Sequence, residues 1–360
     1  MKIGILTFHN AYNYGAALQT YATQVLLSGL GYDVEIINYH NHYIDEAYEH
    51  FKLKFRGIAK KAFKEIVIST IISIFEKRKE RKFLCFQDRY LNLSKSVYFA
   101  DEGVLPAYHA VLIGSDQVWN PKLTGGFDKF YWGDIQGPDK IIAWAASTKE
   151  TAFTAADKNI IANFLDNFHA ISVREKSLKE FLSPLTTKPI HVVLDPTLLL
   201  EGNIWRKMCK PVAEKHFIVV YALGDEQEVT MVARKFATSQ ELQLIVLNPL
   251  PNAKIQKGYK QTAGPIEFLS YINAAEYVVV ASFHGTAFSL LFNKQFFCFI
   301  KDGHTNVRVE SILEQVGLRN RIISETSVLD NIEKINYNKV NGKLENLRGE
   351  TLSFLASSLK

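Results

Sequence analysis

The chain alternates short apolar runs with polar loops, and helical stripes follow many of those loops. Residues 2–8 form one such run, which gives way to the Asn-rich "HNAYNYG" closed by Gly15. Across 16–30, Leu18, Tyr21, Ala22, Val25 and Leu26 recur at spacings of three and four, which predicts an amphipathic helix. Gly29 and Gly31 suit its end. Residues 33–39 read as the next strand. Strand, loop, helix and strand make a βαβ unit, and that crossover implies parallel pairing. Strands are also expected at 110–114, 140–145, 170–174 and 190–194, with helices at 155–167 and 175–182. A second series begins with a strand at 217–223, followed by strands at 243–247, 277–281 and 295–300. Its helices fall at 227–239, 265–274, 286–292 and 311–316, with a polar loop at 249–264 and a last helix at 343–359.

Two strand–helix series predict an α/β protein with two Rossmann-like domains, each built on a mostly parallel sheet. The borders expected are 1–200 for the N-terminal domain, 201–340 for the C-terminal domain and 341–360 for the terminal helix. A helical insertion at about 48–95 interrupts the first domain. Open parallel sheets bind ligands at the carboxyl ends of their strands, so two domains face to face would enclose a cleft.

Composition changes this picture little. With 360 residues, 47% apolar and 22% charged, the chain is long enough for two cores and ordinary for a globular protein. A net charge of +5 is too small to argue for nucleic acid. The basic excess is local: between Lys52 and Lys82 stand eleven Lys or Arg against three Glu. Three widely spaced cysteines, without a CxxC pair, fit a reducing cytosol. The N-terminal residues lack the long apolar region of a signal peptide. The longest apolar stretch, 66–75, is about half of the ~20 residues a membrane span requires. The expected location is therefore cytoplasmic, extending to the inner face of the plasma membrane if the basic segment meets lipid.

The candidate chemistry clusters after the expected strands. His9-Asn10 and Asn13-Tyr14-Gly15 follow the first, Ser115-Asp116 the one at 110–114, and Ser147-Thr148-Lys149 the one at 140–145. Arg174, Asp195-Pro196-Thr197 and Ser282-Phe283-His284-Gly285-Thr286 occupy three further strand ends. Each has a plain structural reading. Gly15 allows a tight loop or close helix packing, Asp116 caps a turn, and Asp195 before proline forms one. An arginine after a strand is usually a surface ion-pair residue, and a lone histidine is usually structural. There is no GxGxxG, HExxH, GxSxG or Walker pattern, so neither a dinucleotide fingerprint nor a metal site is expected.

Taken together, "NYGAALQTYA" (13–22), "GSDQVWNP" (114–121), "SVREKSL" (172–178), "LDPTLLL" (194–200) and "SFHGTAFSLLFNKQF" (282–296) resemble the polysaccharide pyruvyl transferase family. The resemblance implies a GT-B-like arrangement of the two domains and transfer of pyruvate from phosphoenolpyruvate to a sugar. The acceptor implied is a unit of a bacterial surface or capsular polysaccharide, often lipid-linked, and the product is commonly a ketal. No cofactor is expected beyond that donor substrate. The resemblance carries donor contacts onto Arg174 and His284, with Phe283 adjacent. The "GHTNVRVE" string adds Asn306 and Arg308 as weaker candidates, and Asn13 and Gly15 lie in the first family string.

The chemistry suits these residue types. A guanidinium binds carboxylate or phosphate in a fork. Ketal formation needs an acid for the methylene carbon, a base for the hydroxyls and cationic or N–H groups for phosphate. His284 is expected as acid or phosphate clamp, and the N–H groups of Gly285 and Thr286 as anion donors at a helix start. Asp116, or Glu175, is expected as base. Thr148-Lys149 stand where the family has an aromatic residue and glycine; Lys149 adds a phosphate contact or marks an altered geometry. The basic segment has two readings: a membrane-surface element, or a helical excursion packed on the first domain, which is preferred. A nucleotide-sugar glycosyltransferase and a non-catalytic sugar-binding relative are the competing functions.

Overall fold

The computed structural model describes residues 1–46, 63–99, 103–149, 153–223, 226–247, 256–327, 329 and 333–360. Its contacts divide the chain into two compact units.

The first unit holds a seven-stranded, all-parallel sheet in the order β3-β2-β1-β4-β5-β6-β7. The strands are β1 (Lys2–Leu6), β2 (Asp33–His40), β3 (Leu93–Phe99), β4 (Ala110–Gly114), β5 (Ile141–Ala146), β6 (Ala170–Val173) and β7 (Ile190–Val192). Its helices are α1 (Tyr14–Gly29), part of α2 (Phe63–Tyr90), α3 (Pro121–Thr124), α4 (Ala155–Leu165), α5 (Lys176–Leu182) and α6 (Pro196–Leu199). Every residue of β4 is buried. This is why the central strands read as unbroken apolar runs: helices cover both faces of a parallel sheet. An aromatic core lies under β4 and β5, with Trp119 stacked on Trp132 at 4.7 Å and edge-on to Phe168.

α1 departs from the expected stripe. Gln19, Thr20 and Thr23 are buried, whereas Tyr21, Val25 and Leu26 are only partly so. The polar side chains tolerate burial because each is bonded: Gln19 Nε2 donates to Thr7 Oγ1 at 2.7 Å, Thr20 to Ala16 O and Thr23 to Gln19 O.

The second unit holds a six-stranded, all-parallel sheet in the order β10-β9-β8-β11-β12-β13. Its strands are β8 (Phe217–Ala222), β9 (Gln243–Leu247), β10 (Tyr259–Lys260), β11 (Tyr277–Ala281), β12 (Gln295–Phe299) and β13 (Ile322–Ile323). The helices are α7 (Gly202–Met208), α8 (Glu226–Ser239), α9 (Pro265–Ala274), α10 (Phe283–Leu291), α11 (Val307–Val316) and part of α12 (Tyr337–Leu359). Both sheets therefore share the doubly wound order in which the first strand lies between the second and the fourth. Such a reversal opens a crevice at the carboxyl edge.

The units divide between Leu199 and Leu200. The helical insertion, expected on the first domain, instead has residues 63–86 grouped with the second unit. Lys82 meets Glu267 of α9 at 2.5 Å, which gives that grouping a local cause. Conversely, 346–360 group with the first unit. There Arg348 Nε donates to Leu198 O at 2.7 Å, and Phe354 stacks on Trp144. Of the basic segment, Lys52 to Lys61 lie outside the described residues. Among the rest, Lys79 is buried, while Lys77, Arg78 and Arg81 are exposed. Burial pushes Lys79 down to about 8, against the pull of Glu76. No helix among the described residues is long and apolar enough to cross a membrane.

Candidate functional site

At the carboxyl edge of the first sheet, loops after β4, β6 and β7 bring four charged side chains together, and the loop after β5 adds Ser147. Arg174 directly follows β6 and is 6% exposed. Its Nη1 donates to Asp195 Oδ2 at 2.5 Å. Its Nη2 lies 3.7 Å from Asp116 Oδ1 and its Nε 3.9 Å from Glu175 Oε1, ion-pair rather than hydrogen-bond distances. Burial alone would lower the Arg174 pKa; the carboxylates of Asp195, Glu175 and Asp116 outweigh it and hold the guanidinium above its ordinary range.

The three carboxylates differ in how firmly they are held. Asp195 also accepts from Ser115 Oγ at 3.2 Å, and from the Thr197 N–H and Oγ1 at 2.9 and 2.7 Å. It is thus both the turn former expected from its proline and the anchor of Arg174. Glu175, 2% exposed, accepts from Ser147 Oγ at 2.7 Å. Asp116 sits in a left-handed backbone conformation (φ 64°), which Asp tolerates better than most residues. Its Oδ1 accepts from the N–H of Gln117 at 2.8 Å.

The remaining first-unit candidates have structural work. Asn13 caps α1, its Oδ1 accepting from the N–H of Gly15 and Ala16 at 2.8 and 3.2 Å. Gly15 is buried in the first turn of that helix. Lys149 is exposed beyond β5. A second polar group sits at the ends of β1 and β2. Asn38 Oδ1 lies 3.0 Å from His9 Nε2 and 3.2 Å from His40 Nε2, and Asp45 takes His40 Nδ1 at 2.7 Å. Burial pushes His9 down to about 4, so its ring stays neutral at pH 7.

On the second sheet, the loop after β11 is the first turn of α10. The helix starts at Phe283, three residues before the expected start, because Ser282 caps it: Ser282 Oγ accepts from the Gly285 N–H at 3.2 Å. The Thr286 N–H bonds Ser282 O at 3.1 Å. The two N–H groups expected to meet an anion are therefore engaged within the turn. Thr286 is fully buried, its hydroxyl donating to Ser282 O and touching Cys298 Sγ at 3.1 Å. His284 lies in this turn, 8% exposed, edge-on to Phe283 with ring centroids 5.2 Å apart. Asn306 precedes α11, its N–H donating to Glu310 Oε1 at 2.8 Å, and Arg308 is in that helix's first turn.

A family model for polysaccharide pyruvyl transferase matches residues 13–302, from the α1 cap through α10 and past β12. The chain belongs to the polysaccharide pyruvyl transferase family. No curated protein matches it. Among solved structures, it is similar to the UDP-GlcNAc 2-epimerase of Neisseria meningitidis, at 11% identity over 98% of this chain and 99% of that one, with a TM-score of 0.44. It is also similar to the glycosyltransferase SnogD of Streptomyces nogalater, at 10% identity over 98% and 95%, TM-score 0.43. The heptosyltransferase WaaC of E. coli gives 11% identity over 96% and 100%, TM-score 0.42.

Arg174 and Asp116 meet at one sheet edge, while His284 and Phe283 share one helix turn on the other sheet. Sequence reasoning missed Asp195 and Ser147 as the supports of Arg174 and Glu175. The signal for Asp195 was half present: "DPT" announces the bond to Thr197, but nothing local announces a partner 21 residues away. Among the described residues, no three His, Cys, Asp or Glu side chains are placed to hold a metal ion.

Proposed function

We propose that the chain transfers the pyruvyl group of phosphoenolpyruvate to hydroxyls of a glycan acceptor, closing a ketal. The observation that carries this reading is the buried guanidinium of Arg174, fixed by Asp195 through one nitrogen and facing Asp116 at 3.7 Å through another. In this reading the donor carboxylate takes the Nη2 side of Arg174, replacing an ion-pair contact rather than a hydrogen bond. Asp116, displaced from the cation, then accepts the proton of the acceptor hydroxyl.

The chemistry balances without a cofactor. A proton adds to the methylene carbon of the donor, and the first acceptor hydroxyl adds to the cationic carbon and loses its proton to the base. The C–O bond to phosphate breaks, and a second hydroxyl closes the ring with loss of another proton. One proton ends on the new methyl group and one on the released hydrogen phosphate. The acceptor is a sugar or lipid-linked oligosaccharide of a surface polysaccharide, met on the cytoplasmic side.

The test is turnover. Purified protein is incubated with phosphoenolpyruvate and candidate glycans bearing vicinal or 4,6-diols, and inorganic phosphate is measured. Phosphate release that requires the glycan supports the reading. Thermal protection by nucleotide sugars with none by phosphoenolpyruvate overturns it in favour of glycosyl transfer.

A further inference from the structure

The second unit has a pocket apart from the β11–α10 turn. It has a volume of about 240 Å³ and lies where α2, β10 and the start of α9 meet. Phe75, Arg78 and Lys82 reach it from one face of α2, at spacings of three and four residues. Tyr259 belongs to β10, the edge strand of the sheet, and Tyr271 to α9.

Its charges nearly cancel. Lys82 pairs with Glu267 at 2.5 Å. Lys260 pairs with Glu214, which also accepts from the Tyr271 hydroxyl at 3.1 Å. Arg78 is exposed and has no ion-pair partner among the described residues, so among the described lining residues one positive charge stands uncompensated. Three aromatic rings also line the pocket, Phe75, Tyr259 and Tyr271, the last with Lys260 Nζ 5.5 Å from its centroid. Flat aromatic faces suit the C–H face of a sugar ring, and a guanidinium forks onto a carboxylate.

Size and charge choose among anionic ligands. The volume falls below the roughly 300–1,000 Å³ of pockets for drug-sized ligands. It matches one sugar ring better than a nucleoside diphosphate. One surplus cation also matches one carboxylate better than the multiple charges of a diphosphate. We propose that this pocket binds a single sugar residue carrying one carboxylate, as a recognition subsite for an acidic glycan. That the sugar belongs to an acceptor or product rests on the function proposed above; the pocket's chemistry does not.

The full-length protein is titrated with methyl glucuronide, methyl glucoside and the 4,6-pyruvate ketal of methyl galactoside, with binding read by ligand-observed NMR. The expected result is binding of at least one carboxylate sugar, with the neutral glucoside at least tenfold weaker. Binding of the glucuronide identifies an acidic acceptor residue, and binding of the ketal alone identifies a pyruvylated one. Arg78→Ala is expected to weaken binding by about tenfold and Arg78→Glu to abolish it, with unchanged thermal midpoints because the side chain is exposed. Equal affinity for the neutral sugar, displacement by UDP, no binding of any probe, or indifference to Arg78→Glu overturns the proposal. The pocket and the transfer reaction fail separately: phosphate release from phosphoenolpyruvate with a neutral diol does not call on the pocket, and carboxylate-sugar binding does not require turnover.

Discussion

The carboxyl edges of the two sheets share a strand order and little else. On the first, Arg174, Asp195 and Glu175 are buried around one another with Asp116 half-buried beside them, and Asp195 is held by four hydrogen bonds. On the second, the turn carrying His284 is held by one serine cap and by close packing: a Cβ on Gly285 would come within 2.6 Å of Val280 Cγ1. One edge is fixed by charge, the other by contact. The topology supplies the place for a site, but the kind of force fixing each edge decides how it fails when altered.

The largest effect should come from the charged edge. Arg174→Ala leaves buried carboxylates without their cation and is expected to cost about 3–5 kcal/mol, together with loss of transfer; calorimetry reads the first and phosphate release the second. A cost below about 1 kcal/mol would mean that the carboxylates do not depend on the guanidinium. Next comes acid sensitivity of the same unit. His9 titrates near 4 in the fold against 6.5 ordinarily. Between those values the unfolded chain binds the extra proton, so stability is retained above pH 6.5 and lost as pH falls toward 4, by roughly 3 kcal/mol. Denaturant titrations at pH 7 and pH 4 should show that loss in the native protein and a smaller one in His9→Gln.

The packed edge predicts smaller and purely steric losses. Gly285→Ala should destabilise by about 1–3 kcal/mol through overpacking against Val280, an effect insensitive to salt, which separates it from charge. Ser282→Ala removes the cap of α10 and should cost about 1 kcal/mol; hydrogen exchange at the Gly285 amide reports it directly.

What could be read in advance follows the same division between local and distant causes. β4, β8 and β11 are legible because a strand covered on both faces must be apolar along its length. β3, β10 and β13 went unseen. Two of them have only two residues and exist through pairing, as in Tyr259 with Val246 and Cys298 with Ile322. The start of α10 was placed late because a glycine in the first turn disguises a helix, although Ser282 is an ordinary cap. The polar buried face of α1 was hidden because Gln19 finds its partner on β1's loop, across the fold. Of the site, the residue types and their strand-end positions were visible; the partnership of Arg174 with Asp195 was not, since only folding brings the β6 and β7 loops together.

The central claim is that a proton adds to the donor's methylene carbon as the acceptor's hydroxyls add beside it. Turnover in D₂O tests this most directly, with the product methyl group examined by NMR. The account predicts a ketal whose methyl carries one deuterium, formed in step with one phosphate released. Phosphate release without a ketal, or a glycan extended by a new sugar in place of a methyl-bearing ketal, would contradict it.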